Sequence, residues 1–200
     1  MMNQLPVPSS KRSAKAEATR AAILASARRA FAAQGYEGAG LRGIAEGAGV
    51  TAMMVNRYFG SKEGLFGEVV ADSMCDPVVL SAENLAAQDR PHALSEALVG
   101  LTGPDADPLD GFLILFRSTS SETAARIARE RIAEAHHATA ASAVAGDHAS
   151  ERAGLLLALV AGIQMMRQMI RLDALAGADP TILAELVTPL IAEILRPRAK

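Results

Sequence analysis

The sequence predicts an all-α protein, and three observations carry that expectation. Half of the 200 residues are apolar while aromatics are sparse, with alanine and leucine recurring throughout. Long stretches lack the alternation of β-branched and polar residues that a half-buried strand requires. Apolar side chains recur instead every three or four residues, the repeat of one helix face. A chain of 200 residues allows one large domain or two small ones, with a real core.

Each element follows from local chemistry. Residues 1–14 read as a flexible basic arm, since Pro6, Pro8 and paired serines interrupt regular structure. A first helix is expected from about Lys15 to Gln34, with Ile23, Ala27, Ala30 and Phe31 turned inward. Gly35 then stands where a left-handed residue ends a helix. Second and third helices are expected over Leu41–Gly47 and Ala52–Phe59, with Thr51 capping the latter. Ser61 caps a fourth, which places Glu63 and Glu68 close to its positive end and runs to about Asp76-Pro77. Further helices are expected over Ser81–Leu101 (with a break near Asp89-Arg90-Pro91), Leu109–Ser118, Ser121–Val144, Asp147–Leu175 and Pro180–Leu195. Thr102–Pro108 is the clearest loop. The expected division is arm 1–14, a module over 15–60 and a larger helical domain over 61–200.

Composition narrows the function. The single cysteine, Cys75, forms no internal disulfide, which fits a reducing compartment. The polar N-terminus lacks the apolar core of a signal peptide. The most apolar run, Leu155–Ile163, is shorter than a membrane span requires. A cytoplasmic protein without a membrane anchor is expected. Residues 1–62 hold nine Lys or Arg against three acids, a net +6, while the remainder holds eleven against nineteen, a net −8. Such a split suits a phosphate-binding module joined to an acidic body, unless the basic residues only solvate one face. The four histidines have no metal-ligand spacing, and no catalytic constellation stands out, so neither a metal, a cofactor nor an enzyme activity is expected.

The segment Leu41–Phe66 points to DNA. Ala45 is small where a second helix crosses, Gly49 lies where the chain turns sharply, and Val50, Val55 and Tyr58 lock the pair together. This is the spacing of a helix-turn-helix, whose second helix enters the major groove. The expected DNA-facing residues are Thr51, Ala52, Met53, Met54, Asn56, Arg57 and Tyr58, with Arg42 and Lys62 on phosphates. Arg57 suits guanine or a phosphate, Asn56 suits adenine, and either methionine suits a thymine methyl.

The N-terminal third resembles the DNA-binding domain of the tetracycline-repressor (TetR) family. The matching text is Thr19–Leu24, Phe31–Tyr36, Ile44-Ala45, Ala48–Thr51 and Tyr58–Glu63, in one register. The resemblance implies a homodimeric transcriptional regulator, usually a repressor on a palindromic operator until a small-molecule effector binds the C-terminal domain. Three positions depart from that pattern. Met53 stands for a usual glycine, Asn56 for a usual phosphate-binding tyrosine, and Gly40 for a usual hydroxyl cap.

In the C-terminal body, Gly154, Ala158 and Gly162 form a small-residue stripe. Leu183, Leu186, Val187, Leu190 and Ile194 give the last helix a broad apolar face. By resemblance these two helices form the dimer interface; taken alone, they equally suit their own subunit's core. Met74, Phe112, Phe116, Met165 and Met169 suit the lining of a site for a largely apolar ligand, with Arg117 and Gln164 as polar anchors, or else filled core. Cys75 and Met166 belong to the same soft set. From a different class stands a helical interaction protein whose basic module docks protein or an anionic surface.

Overall fold

Gly35 is where the first helix must change course. The computed structural model describes residues 9–74, 77–103, 106 and 110–197. Helix α1 (Ser9–Gly38) begins inside the expected arm and loses helical geometry at Gly35, with φ 68° and ψ −178°. Glycine alone adopts that backbone state without strain. A second reason is space, since a Cβ at Gly35 would sit 2.3 Å from the Arg117 carbonyl oxygen. The side chains of Lys11 and Arg12, like Cys75, lie outside the described residues.

The following elements match the expected bounds closely. They are α2 (Leu41–Gly47), α3 (Ala52–Phe59) and α4 (Lys62–Ser73). The expected Ser81–Leu101 segment is α5 (Ala82–Ala86) and α6 (Arg90–Leu101). It breaks where Asp89 caps α6 by accepting from the His92 N–H at 3.2 Å. After α7 (Asp110–Ser118), α8 (Glu122–Ile132) passes through a π-helical turn at Ala133–His137 into α9 (Ala138–Ala143).

The expected helix over Asp147–Leu175 stops early. Helix α10 (Ala149–Gln164) runs into a second π-helical turn at Met165–Met169, and Arg171 takes a left-handed φ of 54° before α11 (Asp173–Ala176). The turn brings the Leu175 carbonyl within 3.1 Å of Arg167 Nε, a bond that a straight helix could not make. The 21 residues Ala149–Met169 are by length and composition enough to cross a membrane. They also bury Arg152 and Arg167, whose guanidiniums bond to carbonyls elsewhere in the chain, as in a globular core. Helix α12 (Pro180–Leu195) starts at Asp179, whose carboxylate accepts from Thr181 and Ile182 N–H groups.

The chain divides into two compact units, Met1–Val70 with Leu113–Ala128, and Ala71–Phe112 with Arg129–Lys200. The first therefore reaches beyond the expected 15–60 module and draws in most of α7 and α8. Its core holds Ile23, Ala27, Phe31, Ile44, Val55, Leu65, Phe66 and Ile114. The Tyr36 N–H donates to Ser118 Oγ at 3.0 Å, and Arg117 Nη1 donates to the Ala32 carbonyl. In the second unit α12 packs on α6, joining Leu94, Leu98, Leu156, Leu183, Val187 and Ile191 in one core.

Three of the residues expected on the broad apolar face of the last helix lie inward. Leu183 and Val187 are consumed by their own unit's core, and Ile194 packs against it, so these three do not form an outer face. The exposed stripe of α12 is Ile182, Leu186 and Leu190. On α10, Leu155 and Ala158 are exposed, and a Cβ added at Gly154 or Gly162 would meet nothing within 4 Å.

Replacing Gly35 by alanine combines a forbidden φ with a backbone clash. Gly35→Ala is expected to lower stability by about 2–4 kcal/mol in chemical denaturation. An unchanged midpoint would show that the Arg117 backbone yields freely.

Candidate nucleic-acid interface

The helix-turn-helix is built from close approaches. Ser26 Oγ, on α1, donates to the Ile44 carbonyl at 2.8 Å, which pins α2 across α1. A Cβ at Gly47 would sit 2.5 Å from the same Ser26 Oγ, so the crossing needs glycine there. The turn reverses through Gly49 at φ 67°, with the Val50 N–H bonded to the Ala45 carbonyl at 3.0 Å. Thr51 Oγ1 accepts from the Met54 N–H and opens α3, while Gly40 gives α2 no side-chain cap.

Helix α3 then divides by face. Val55 is fully buried against the rest of the unit, whereas Met53 is 81% exposed. Thr51, Met54, Asn56 and Arg57 are also exposed, and Ala52 and Tyr58 are half-buried. Met53, Asn56 and Arg57 stand three and four residues apart and therefore share the outer side. Arg57 and Arg42 are exposed and make no hydrogen bond or ion pair to the described residues. The expected DNA-facing residues all belong to the first unit, and Arg42, Thr51, Met53, Met54, Asn56 and Arg57 among them are exposed.

Lys62 is held differently. Its ammonium lies 4.6 Å from the Tyr36 ring centroid, and Nζ donates to the Glu37 carbonyl at 3.4 Å. The cation–π contact fixes where this charge stands at the start of α4. Ser61 Oγ caps that start by accepting from the Gly64 N–H at 3.1 Å. Tyr36 itself meets Phe66 edge-on at 5.0 Å, and Phe66 meets Phe31 at 5.1 Å. Burial, then the charges of Glu63 and Glu37, push the Tyr36 hydroxyl above its ordinary pKa against the opposing pull of Arg126, so the phenol stays neutral. Nearby, Arg20 pairs with Glu68 and lies 5.2 Å from the Phe59 ring centroid, bracing α1 against the end of α3.

The expected ligand residues divide between the two units. Met74, Phe112, Gln164, Met165 and Met169 belong to the second unit, with Met74 and Gln164 buried. Phe116 and Arg117 belong to the first unit. Arg117, expected as a ligand anchor, donates from Nη1 to the Ala32 carbonyl of α1. Phe116 is exposed. Sequence reasoning missed Arg167 and Gln168, both buried beside Gln164. The available signal was a charged residue in a helix otherwise apolar.

Two family models match the sequence. The family described as "Bacterial regulatory proteins, tetR family" matches residues 23–69, and "Tetracyclin repressor-like, C-terminal domain" matches residues 91–195. No curated relative matches by sequence. Among solved structures, a TetR-family regulator from Streptomyces coelicolor A3 is similar at 22% identity and a TM-score of 0.59, covering 97% of this chain and 99% of that one. NalD, the secondary repressor of the MexAB-OprM multidrug efflux pump in Pseudomonas aeruginosa, is similar at 25% identity and a TM-score of 0.63, covering 90% and 97%. The fatty acid degradation regulator FadR from Bacillus halodurans is similar at 15% identity and a TM-score of 0.63, covering 98% and 100%. With both the helix-turn-helix and more than half of the chain behind it matched, the protein belongs to the TetR family of DNA-binding transcriptional regulators, which are not enzymes.

Proposed function

We propose that the protein is a dimeric repressor that grips a palindromic operator and lets go when a small molecule binds its second unit. The observation that carries the DNA half is the division of α3. Val55 anchors its inner side while Met53, Asn56 and Arg57 stand exposed on the other. Repression is supported by the likeness to NalD, itself described as a repressor. The site of action is then the cytoplasm, where the operator is.

Dimerisation is supported by a face that the subunit leaves uncovered. Ile182, Leu186 and Leu190 on α12 stand exposed, as do Leu155 and Ala158 on α10. Glycine within a helix costs about 1 kcal/mol relative to alanine. Nothing inside the chain requires it at Gly154 or Gly162, whereas a second subunit packed closely there would. Two copies of α3 set about 34–36 Å apart would then read half-sites one helical turn apart.

The operator is found by selection from random duplexes with the full-length protein. Against the selected site, Arg57→Ala is expected to lose about 1–3 kcal/mol and relax preference at one position. Lys62→Ala is expected to weaken selected and random DNA alike and flatten the salt dependence by about one ion. Equal losses on both DNAs for Arg57→Ala would move that residue to a phosphate role. Failure to enrich any sequence would overturn the sequence-specific reading.

For the dimer, Leu190→Asp places a charge on the exposed stripe without entering the subunit's core. Light scattering is expected to show a folded monomer that has lost operator binding. A dimer that persists through both Leu190→Asp and Leu186→Asp would place the interface elsewhere.

Release through the second unit requires reciprocity. An effector that weakens operator binding must itself bind the operator complex more weakly by the same factor, typically about 5–150-fold. Helix α4 is the natural carrier, since it starts at Lys62 and its last residues belong to the second unit. Equal effector affinity with and without operator would remove the regulatory half of the reading.

A further inference from the structure

Two arginines lie buried along the α10 segment, and the protein treats them unequally. Arg152, 6% exposed, has an acceptor for each nitrogen of its guanidinium. Nε donates to the Ile194 carbonyl at 2.8 Å, Nη1 to those of Ala145 and Asp147 at 2.9 and 3.2 Å, and Nη2 to that of Arg196. These include carbonyls at the end of α12, where the helix dipole is negative. Arg152 is a structural clamp.

Arg167 is 1% exposed, and its Nη2 finds no acceptor among the described residues. Its Nε donates to the Leu175 carbonyl at 3.1 Å, and Nη1 donates to the Val99 carbonyl at 2.6 Å and to Thr102 Oγ1 at 2.7 Å. No ion pair among the described residues includes it. Burial pulls its pKa below the ordinary value, yet a guanidinium does not deprotonate in proteins, so the charge persists.

The same helix face carries two further buried polar atoms without a partner among the described residues, Gln164 Nε2 and Gln168 Oε1. Gln164 is 4% exposed and Gln168 8%. The Gln168 amide is oriented by Nε2, which donates to the Leu101 and Ala106 carbonyls at 3.3 and 3.4 Å, so its oxygen is committed as an acceptor. Positions 164, 167 and 168 stand three and four residues apart; the π-helical turn at Met165–Met169 holds the last two and begins directly after Gln164. Such turns concentrate at functional sites. All of these residues belong to the second unit.

A guanidinium edge and an amide N–H held in an apolar core are donors suited to an anion with two oxygens. We infer that Gln164, Arg167 and Gln168 receive the head group of a small organic carboxylate, with Gln168 Oε1 accepting from a hydroxyl or N–H on the same molecule. This rests on the proposal that the second unit takes the effector, and gives that effector a charge where the sequence suggested a largely apolar ligand. The carboxylate supplies the missing counter-charge, and Thr102 fixes the guanidinium so that Nη2 stays available.

The test is calorimetric titration of the full-length protein, without DNA, against straight-chain and aromatic carboxylates, with 3-hydroxyoctanoate and salicylate included and the matching amides as uncharged controls. At least one carboxylate is expected to bind about 10–100-fold more tightly than its amide, the span of one or two charge-assisted hydrogen bonds. A hydroxylated acid is expected to bind more tightly than its parent. Arg167→Gln should abolish that preference. Gln164→Leu, which removes a donor without leaving a charge unpaired, should weaken carboxylates several-fold and guards against misfolding of the arginine variant. Carboxylates and amides binding alike, or no carboxylate binding at all, would overturn the assignment. So would carboxylate binding that first appears when Asp105 and Asp107, the acids flanking Ala106, are both changed to asparagine, because Arg167 would then be neutralised from within. Carboxylate binding that needs Arg167 but leaves operator affinity unchanged upholds this site and removes the regulatory reading instead.

Discussion

The DNA-facing surface depends on the aromatic cluster of Phe31, Tyr36 and Phe66. Helix α3 has eight residues, far too few to hold its shape alone in water. Its position is set by what flanks it, α2 pinned across α1 by Ser26 and α4 held to the end of α1 by these three rings. Edge-on ring pairs contribute about 0.5–1.5 kcal/mol each beyond their burial. The Gly35 bend lets Tyr36 turn back into the cluster, and Lys62 rests on the outer side of the same ring. Backbone geometry at one glycine, ring packing and the placement of a cation are thus one linked arrangement.

The two units handle charge in opposite ways. In the first, cations stay at or near the surface, some tethered by rings or carboxylates (Arg20, Lys62, Arg126) and some unengaged (Arg42, Arg57). An unengaged surface cation loses little when it meets phosphate, since no internal partner must be given up. In the second unit, two cations are inside the core, where each unmade bond carries a full desolvation penalty. Arg152 meets that demand with carbonyls alone, and Arg167 does so only in part.

What the sequence made legible was local. Thr51, Ser61 and Asp179 cap their helices through bonds spanning no more than three residues, which is why such starts are legible in sequence. Gly49 and Gly35 were legible because positive φ is a property of the residue. Contacts across long stretches of chain were not. Nothing near Arg117 in sequence announces that it will reach Ala32, and so it looked like a pocket anchor. Helix α12 is apolar on several sides, so periodicity could not say that Leu183 and Val187 face inward while Leu186 and Leu190 face outward. In sequence Arg167 is only a charge that follows the apolar run Leu155–Ile163. Its significance lies in Val99 and Thr102, more than sixty residues away.

The participation of Leu113–Ala128 in the first unit sets an order of events during synthesis. The ribosome releases the helix-turn-helix long before it has made Ser118 and Arg126, which bond to Tyr36 and Glu63. Until then the end of α1 lacks the bond from Tyr36 to Ser118. The contributions of Ile114, Ser118 and Arg126 to this unit can be made only once that later segment exists. A nascent chain stalled ahead of that point therefore presents the charges of a DNA-binding protein before it has the rigid frame that makes them selective.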